Sequence, residues 1–130
     1  MSCRVLTIDD NENDLLFTRI ALERSGVAYE IRAFERAQDA LTMLCTDEAH
    51  GTDLILLDIN MPVMDGFAFL QAFEALPAAQ RGDAVVVMLS SSSDPADHRR
   101  AALHASVRGF VRKPLDKDTA AGLVRLIGPR

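Results

Sequence analysis

Leu54-Ile55-Leu56-Leu57-Asp58 sets four large aliphatic residues in a row and ends them on a carboxylate. An apolar run this short is a strand rather than a helix, and one with no polar interruption is a strand covered on both faces, as in parallel sheets. Val5 to Ile8 and Val85 to Leu89 repeat the pattern, and they also end on polar groups, Asp9-Asp10 and Ser90. These three segments are predicted to be central strands. Tyr29-Glu30-Ile31-Arg32-Ala33-Phe34 alternates apolar with polar instead, and Gly109-Phe110-Val111 is very short, so both suit the edges of the sheet.

Helical spacing fills the intervals. The first helix is expected from about Asp14 to Arg24 with Ser25-Gly26 as its stop, and the second from Ala37 to Cys45. The third follows Gly66, from Phe67 to Leu76, where Pro77 ends it. Asp94 as N-cap and Pro95 at the first helical position open the fourth, and the last runs from Asp118 to Ile127 with Gly122 as its weak point. Alternating strands and helices imply an α/β fold: a doubly wound, five-stranded parallel sheet in the order 2-1-3-4-5 with five helices.

The 130 residues, 48% of them hydrophobic, suit one domain with one core, and 1–130 is read as that domain. Only Gly128-Pro129-Arg130 follows the last helix, so no output domain is expected. No apolar run approaches the ~18 residues of a membrane span and the first residues lack the form of a signal peptide, so the expected location is cytoplasmic. A net charge of −5 argues against direct nucleic-acid binding, which calls for a basic surface. Cys3 and Cys45 share no metal-like spacing and are read as inert thiols. His50, His98 and His104 also lack paired spacing and are expected at the surface, while Met43, Met61, Met64 and Met88 are read as loop or core filling.

In open α/β sheets, ligands bind beyond the carboxyl ends of the strands, near the point where strand order reverses. Asp9 and Asp10 end the first strand, Asp58 the third and Ser90 the fourth, and Lys113 follows the fifth. Three carboxylates that close repel one another, and a divalent cation resolves the conflict. Mg²⁺ fits best, because it takes one or two carboxylates and keeps room for water and phosphate oxygens. Asp58 can then serve as a nucleophile toward a phosphoryl group, with Lys113 as a countercharge and Ser90 as a donor.

Val5-Leu6-Thr7-Ile8-Asp9-Asp10, Leu54 through Asp58 to Gly66, Val87-Met88-Leu89-Ser90-Ser91 and Val111-Arg112-Lys113-Pro114 together resemble the response-regulator receiver domains of two-component signalling, of flavodoxin-like fold. The resemblance covers essentially the whole chain. It implies that Asp58 is the phosphoacceptor, that Asp10 and Asp9 hold Mg²⁺, and that Asn60 offers its backbone carbonyl to the ion. It further implies that Ser90 and Lys113 bind the phosphate, that Phe110 is the aromatic switch residue, and that the Lys113-Pro114 bond is cis. The partners so implied are a histidine kinase or phosphotransfer protein and a downstream protein target.

Three departures stand out. Ala105-Ser106-Val107 replaces the usual Ala-Gly-Ala, so a left-handed helix stop is expected to fall on serine. Phe110 lacks the hydroxyl of a tyrosine, and Ser90 replaces the commoner threonine. Arg99, Arg100, Arg108 and Arg112 form a basic cluster on the fourth helix and last strand, read either as a solvated face or as a docking or homodimer surface. Two rival functions fit the residues less well. A haloacid-dehalogenase-like phosphatase needs a second acid two residues after its nucleophile, where this chain has Asn60; a non-phosphorylated pseudo-receiver would not need the complete set Asp9, Asp10, Asp58, Ser90 and Lys113.

Overall fold

The computed structural model describes residues 2–92 and 94–127. Strands β1 (Cys3–Ile8), β2 (Tyr29–Phe34), β3 (Leu54–Leu57), β4 (Val85–Ser90) and β5 (Val107–Arg112) form one parallel sheet in the order β2-β1-β3-β4-β5. Helices α1 (Glu12–Arg24), α2 (Ala37–Thr46), α3 (Gly66–Glu74), α4 (Ala78–Arg81), α5 (Pro95–Ala102) and α6 (Lys117–Gly122) connect or flank the strands, and a 3₁₀ turn over Leu123–Leu126 continues α6.

The uninterrupted apolar runs have a simple cause. Successive side chains on a strand point to opposite faces. Leu6, Ile8, Ile55, Leu57, Val86 and Met88 enter one core with Leu44 of α2, Phe69 and Phe73 of α3, and Ala101 of α5. Val5, Leu54, Leu56, Val85, Val87 and Leu89 enter a second core with Leu22 of α1 and Ala120 of α6. Both faces are dry, so β3 and β4 are buried along their whole length, whereas β2 alternates and β5 is only partly buried.

Several expected boundaries move. Helix α1 starts at Glu12 rather than Asp14, because the Asn11 side chain accepts hydrogen bonds from the N–H groups of Asn13 and Asp14. Pro77 does more than end α3: it precedes the additional helix α4, consistent with the preference of proline for helix starts. The last helix loosens to 3₁₀ after Gly122, and β5 begins earlier than expected, at Val107.

The left-handed stop at Ser106 is absent. Among the described residues, Val63 is the non-glycine residue with positive φ. Helix α5 instead ends with Leu103 in the right-handed region, and the Ser106 N–H and hydroxyl both donate to Glu74. The expectation of three surface histidines is corrected as well. His50 is buried: its Nδ1 accepts from the Thr52 N–H, so its Nε2–H donates to the Gln80 carbonyl of α4. His104 is half-buried against Glu74, and only His98 is exposed. Cys3 is buried and Cys45 exposed.

Candidate functional site

Backbone pairing carries the site residues to one edge. Hydrogen bonds run past the strand ends, from the Asp9 N–H to the Phe34 carbonyl, from Asp58 to Ile8, and from Lys113 to Ser90, at 2.9–3.1 Å. Asp9 and Asp58 are buried and Asp10 is exposed, with one carboxylate oxygen from each lying within 4.8 Å of the other two. The Lys113 ammonium closes the cluster, 2.6 Å from Asp9 Oδ2, 2.9 Å from Asp14 Oδ2 and 3.3 Å from Asp58 Oδ1. The following Lys113-Pro114 peptide bond is cis.

This crowding sets the protonation equilibria. Burial, followed by the charge of Asp9, pushes the Asp58 carboxyl up to about 6 against the pull of Lys113. Burial also raises Asp9, although its hydrogen bonds from Lys113 and from the Asn11 N–H oppose the shift. For Lys113, burial favours the neutral amine, but hydrogen bonds to Asp9 and Asp14 and the charges of Asp58 and Asp9 prevail, so its pKa is raised. One ammonium does not neutralise the surrounding carboxylates. The oxygen-only donors and the surplus negative charge fit a hard divalent cation such as Mg²⁺.

The other predicted residues lie around this cluster. Ser90 is fully buried at the end of β4, and its Oγ accepts from the Ser92 N–H at 3.0 Å. The Ser92 hydroxyl in turn donates to Asp97 at 2.7 Å, which ties the loop to the first turn of α5. Ser93 lies outside the described residues. Asn60 is exposed in the loop after β3. Phe110 does not join the carboxylates; its ring stacks on exposed His98 of α5, centroids 3.6 Å apart.

Two participants were not anticipated from sequence. Asp14 looked like a helix-opening acid, yet its position in the first turn of α1 brings it to Lys113. Gly66 looked like a helix boundary, but a Cβ there would sit 2.4 Å from the Asp58 carbonyl oxygen, so α3 packs against the backbone of Asp58 through the missing side chain.

A sheet with this strand order and an acidic cluster beyond β1 and β3 defines a doubly wound protein with its site at the switch point. The family model of the response regulator receiver domain matches residues 5–125, and the chain belongs to that family. A two-component response regulator from Cytophaga hutchinsonii is 27% identical, with a TM-score of 0.86 over 96% of this chain and 95% of that one. A response regulator receiver protein from Dyadobacter fermentans is 29% identical, with a TM-score of 0.84 over 96% of each chain. Among curated proteins, the sensor protein GacS of Pseudomonas syringae is 28% identical over 93% of this chain, and the transcriptional regulatory protein PrrA of Mycobacterium bovis is 34% identical over 87%. The chain spans only 13% of the length of GacS and 44% of PrrA.

Proposed function

We propose that this receiver domain is a phosphorylation switch in which Asp58 accepts a phosphoryl group from a histidine kinase or phosphotransfer protein. The observation that carries this reading is the convergence of Asp9, Asp10, Asp58 and Lys113 at one sheet edge. A carboxylate oxygen of Asp58 attacks phosphorus as the bond from phosphorus to the donor nitrogen breaks, which gives an acyl phosphate. Asp9, Asp10, Asp58 and the backbone carbonyl of Asn60 would hold Mg²⁺. When bound, the ion offsets the carboxylate repulsion and the charge of the incoming phosphate.

Lys113 and the Ser90 hydroxyl then hold the phosphate oxygens. Ser90 reaches α5 through the Ser92 to Asp97 bonds, and Phe110 contacts α5 through His98, so both routes support α5 and β5 as the bistable element. The signal leaves by protein contact with a downstream target, and the exposed Arg99, Arg108 and Arg112 supply charge for a docking or homodimer face. No direct nucleic-acid contact is invoked, given the net charge of −5. The setting is cytoplasmic; none of the helices among the described residues is long and apolar enough to cross a membrane.

Incubation with acetyl phosphate and Mg²⁺ tests the assignment by intact mass. The expected result is one added phosphate, lost in Asp58→Asn and without added Mg²⁺. Equal labelling of Asp58→Asn, or steady turnover of a phosphomonoester, would overturn it.

A further inference from the structure

Asp14 stands outside the group of carboxylates that could share a cation, yet it takes one of the three hydrogens of the Lys113 ammonium. Asp9 and Asp58 face the same ammonium, with Asp58 the most distant of the three at 3.3 Å. Every donor of Lys113 therefore has a carboxylate in reach before any phosphate arrives. A phosphoryl group on Asp58 adds close to two negative charges and three acceptor oxygens in front of that ammonium. Esterification turns the Asp58 carboxylate into the carrier of that phosphate, so for Lys113 to turn fully to the phosphate its hold on Asp9 or on Asp14 has to loosen.

The exposures of the partners decide which one. The Asp9 side chain is 7% exposed and lies nearest the ammonium, at 2.6 Å, so it is the harder contact to give up. The Asp14 side chain is 35% exposed and can return to water. Resting on the phosphorylation reading above, we propose that Asp14 is a positioning residue that competes with the phosphate for Lys113. It holds the lysine toward α1 in the resting state and thereby sets how tightly the phosphorylated state is held.

Trifluoroberyllate, an anion that mimics the phosphoryl group on a carboxylate, tests this by ¹⁹F NMR titration of the whole chain in Mg²⁺. Asp14→Asn should bind it about fivefold more tightly than the wild type, the factor that corresponds to ~1 kcal/mol for one partly exposed ion pair. Asp14→Glu, which keeps the charge, should stay within about twofold of the wild type. In urea without the anion, Asp14→Asn should be less stable than the wild type, because the pair with Lys113 is lost. Opposite movement of stability and affinity separates competition from a merely structural role, which would weaken both. Equal or weaker binding by Asp14→Asn overturns the proposal. Failure of the wild type itself to bind the anion overturns the phosphorylation reading instead and takes this inference with it.

Discussion

At the amino edge of the sheet, Glu74 accepts hydrogen bonds from His104 Nδ1, the Ser106 N–H and the Ser106 hydroxyl, and His50 is held between Thr52 and Gln80. At the carboxyl edge, Asp58 faces Asp9 and Asp10 with one shared ammonium nearby. Both edges bury polar groups, but at the second one ammonium is shared among Asp9, Asp14 and Asp58. The carboxyl shifts record the difference. Burial pushes Glu74 up, but its hydrogen bonds outweigh that and hold it below its usual range, whereas Asp58 rises to about 6. The amino edge therefore contributes stability, and the carboxyl edge gives some up to stay ready for a cation and a phosphate.

The strongest challenge to this contrast is Asp58→Asn. The folded-state pKa of Asp58 lies above its unfolded value of 3.8, so its contribution to stability is fully present below that value and is lost as pH rises through about 6. At pH 7 without divalent ions, the amide should stabilise the fold by about 2 kcal/mol, discounted for the lost contact with Lys113. Urea denaturation in a chelating buffer reads the difference, which should vanish toward pH 4. A destabilised Asp58→Asn at pH 7 would mean that the carboxyl edge is not strained.

Glu74→Gln should move stability the other way. The folded-state pKa of Glu74 is depressed below 4.5, so its contribution is present above that pH and is lost as pH falls through the lower folded value. The variant keeps the shape but loses the charge that His104 and Ser106 address, at a cost of about 1.5 kcal/mol at neutral pH. Thermal denaturation between pH 3 and 7 should show the gap between wild type and variant closing in acid. A constant gap would assign the loss to packing rather than charge.

The sheet was legible because burial on both faces leaves an uninterrupted apolar run, which Leu54 to Leu57 displays in four residues. The carboxylate cluster was legible because strand ends in such a sheet share an edge. Asp14 was not, because its role depends on a lysine 99 positions away. His50 and His104 were misread for the same reason: their partners, Gln80 and Glu74, are each 30 residues distant. Helix α4 escaped notice because a proline reads equally well as the end of one helix and the start of the next. Long-range polar pairing leaves no local period in sequence, whereas apolar burial does.

The smallest expected effect concerns backbone strain. Left-handed conformations before β2, β3 and β4, at the amino edge, fall on Gly26, Gly51 and Gly82, where glycine adopts them freely. At the carboxyl edge a positive φ falls on Val63, at 69°, the centre of a three-residue turn closed by the Met64 N–H and the Pro62 carbonyl. Val63 is fully exposed, so no packing offsets the strain of a β-branched residue there. Val63→Asn, which tolerates this backbone better, should raise the urea midpoint by an amount worth about 0.5–1 kcal/mol. Gly26→Val supplies the opposite arm: a Cβ there meets open space, so the ~1–2 kcal/mol it should cost comes from backbone conformation alone. A neutral Val63→Asn beside a costly Gly26→Val would show that the loop after Asp58 relaxes its valine, and would confine the strain of the carboxyl edge to its charges.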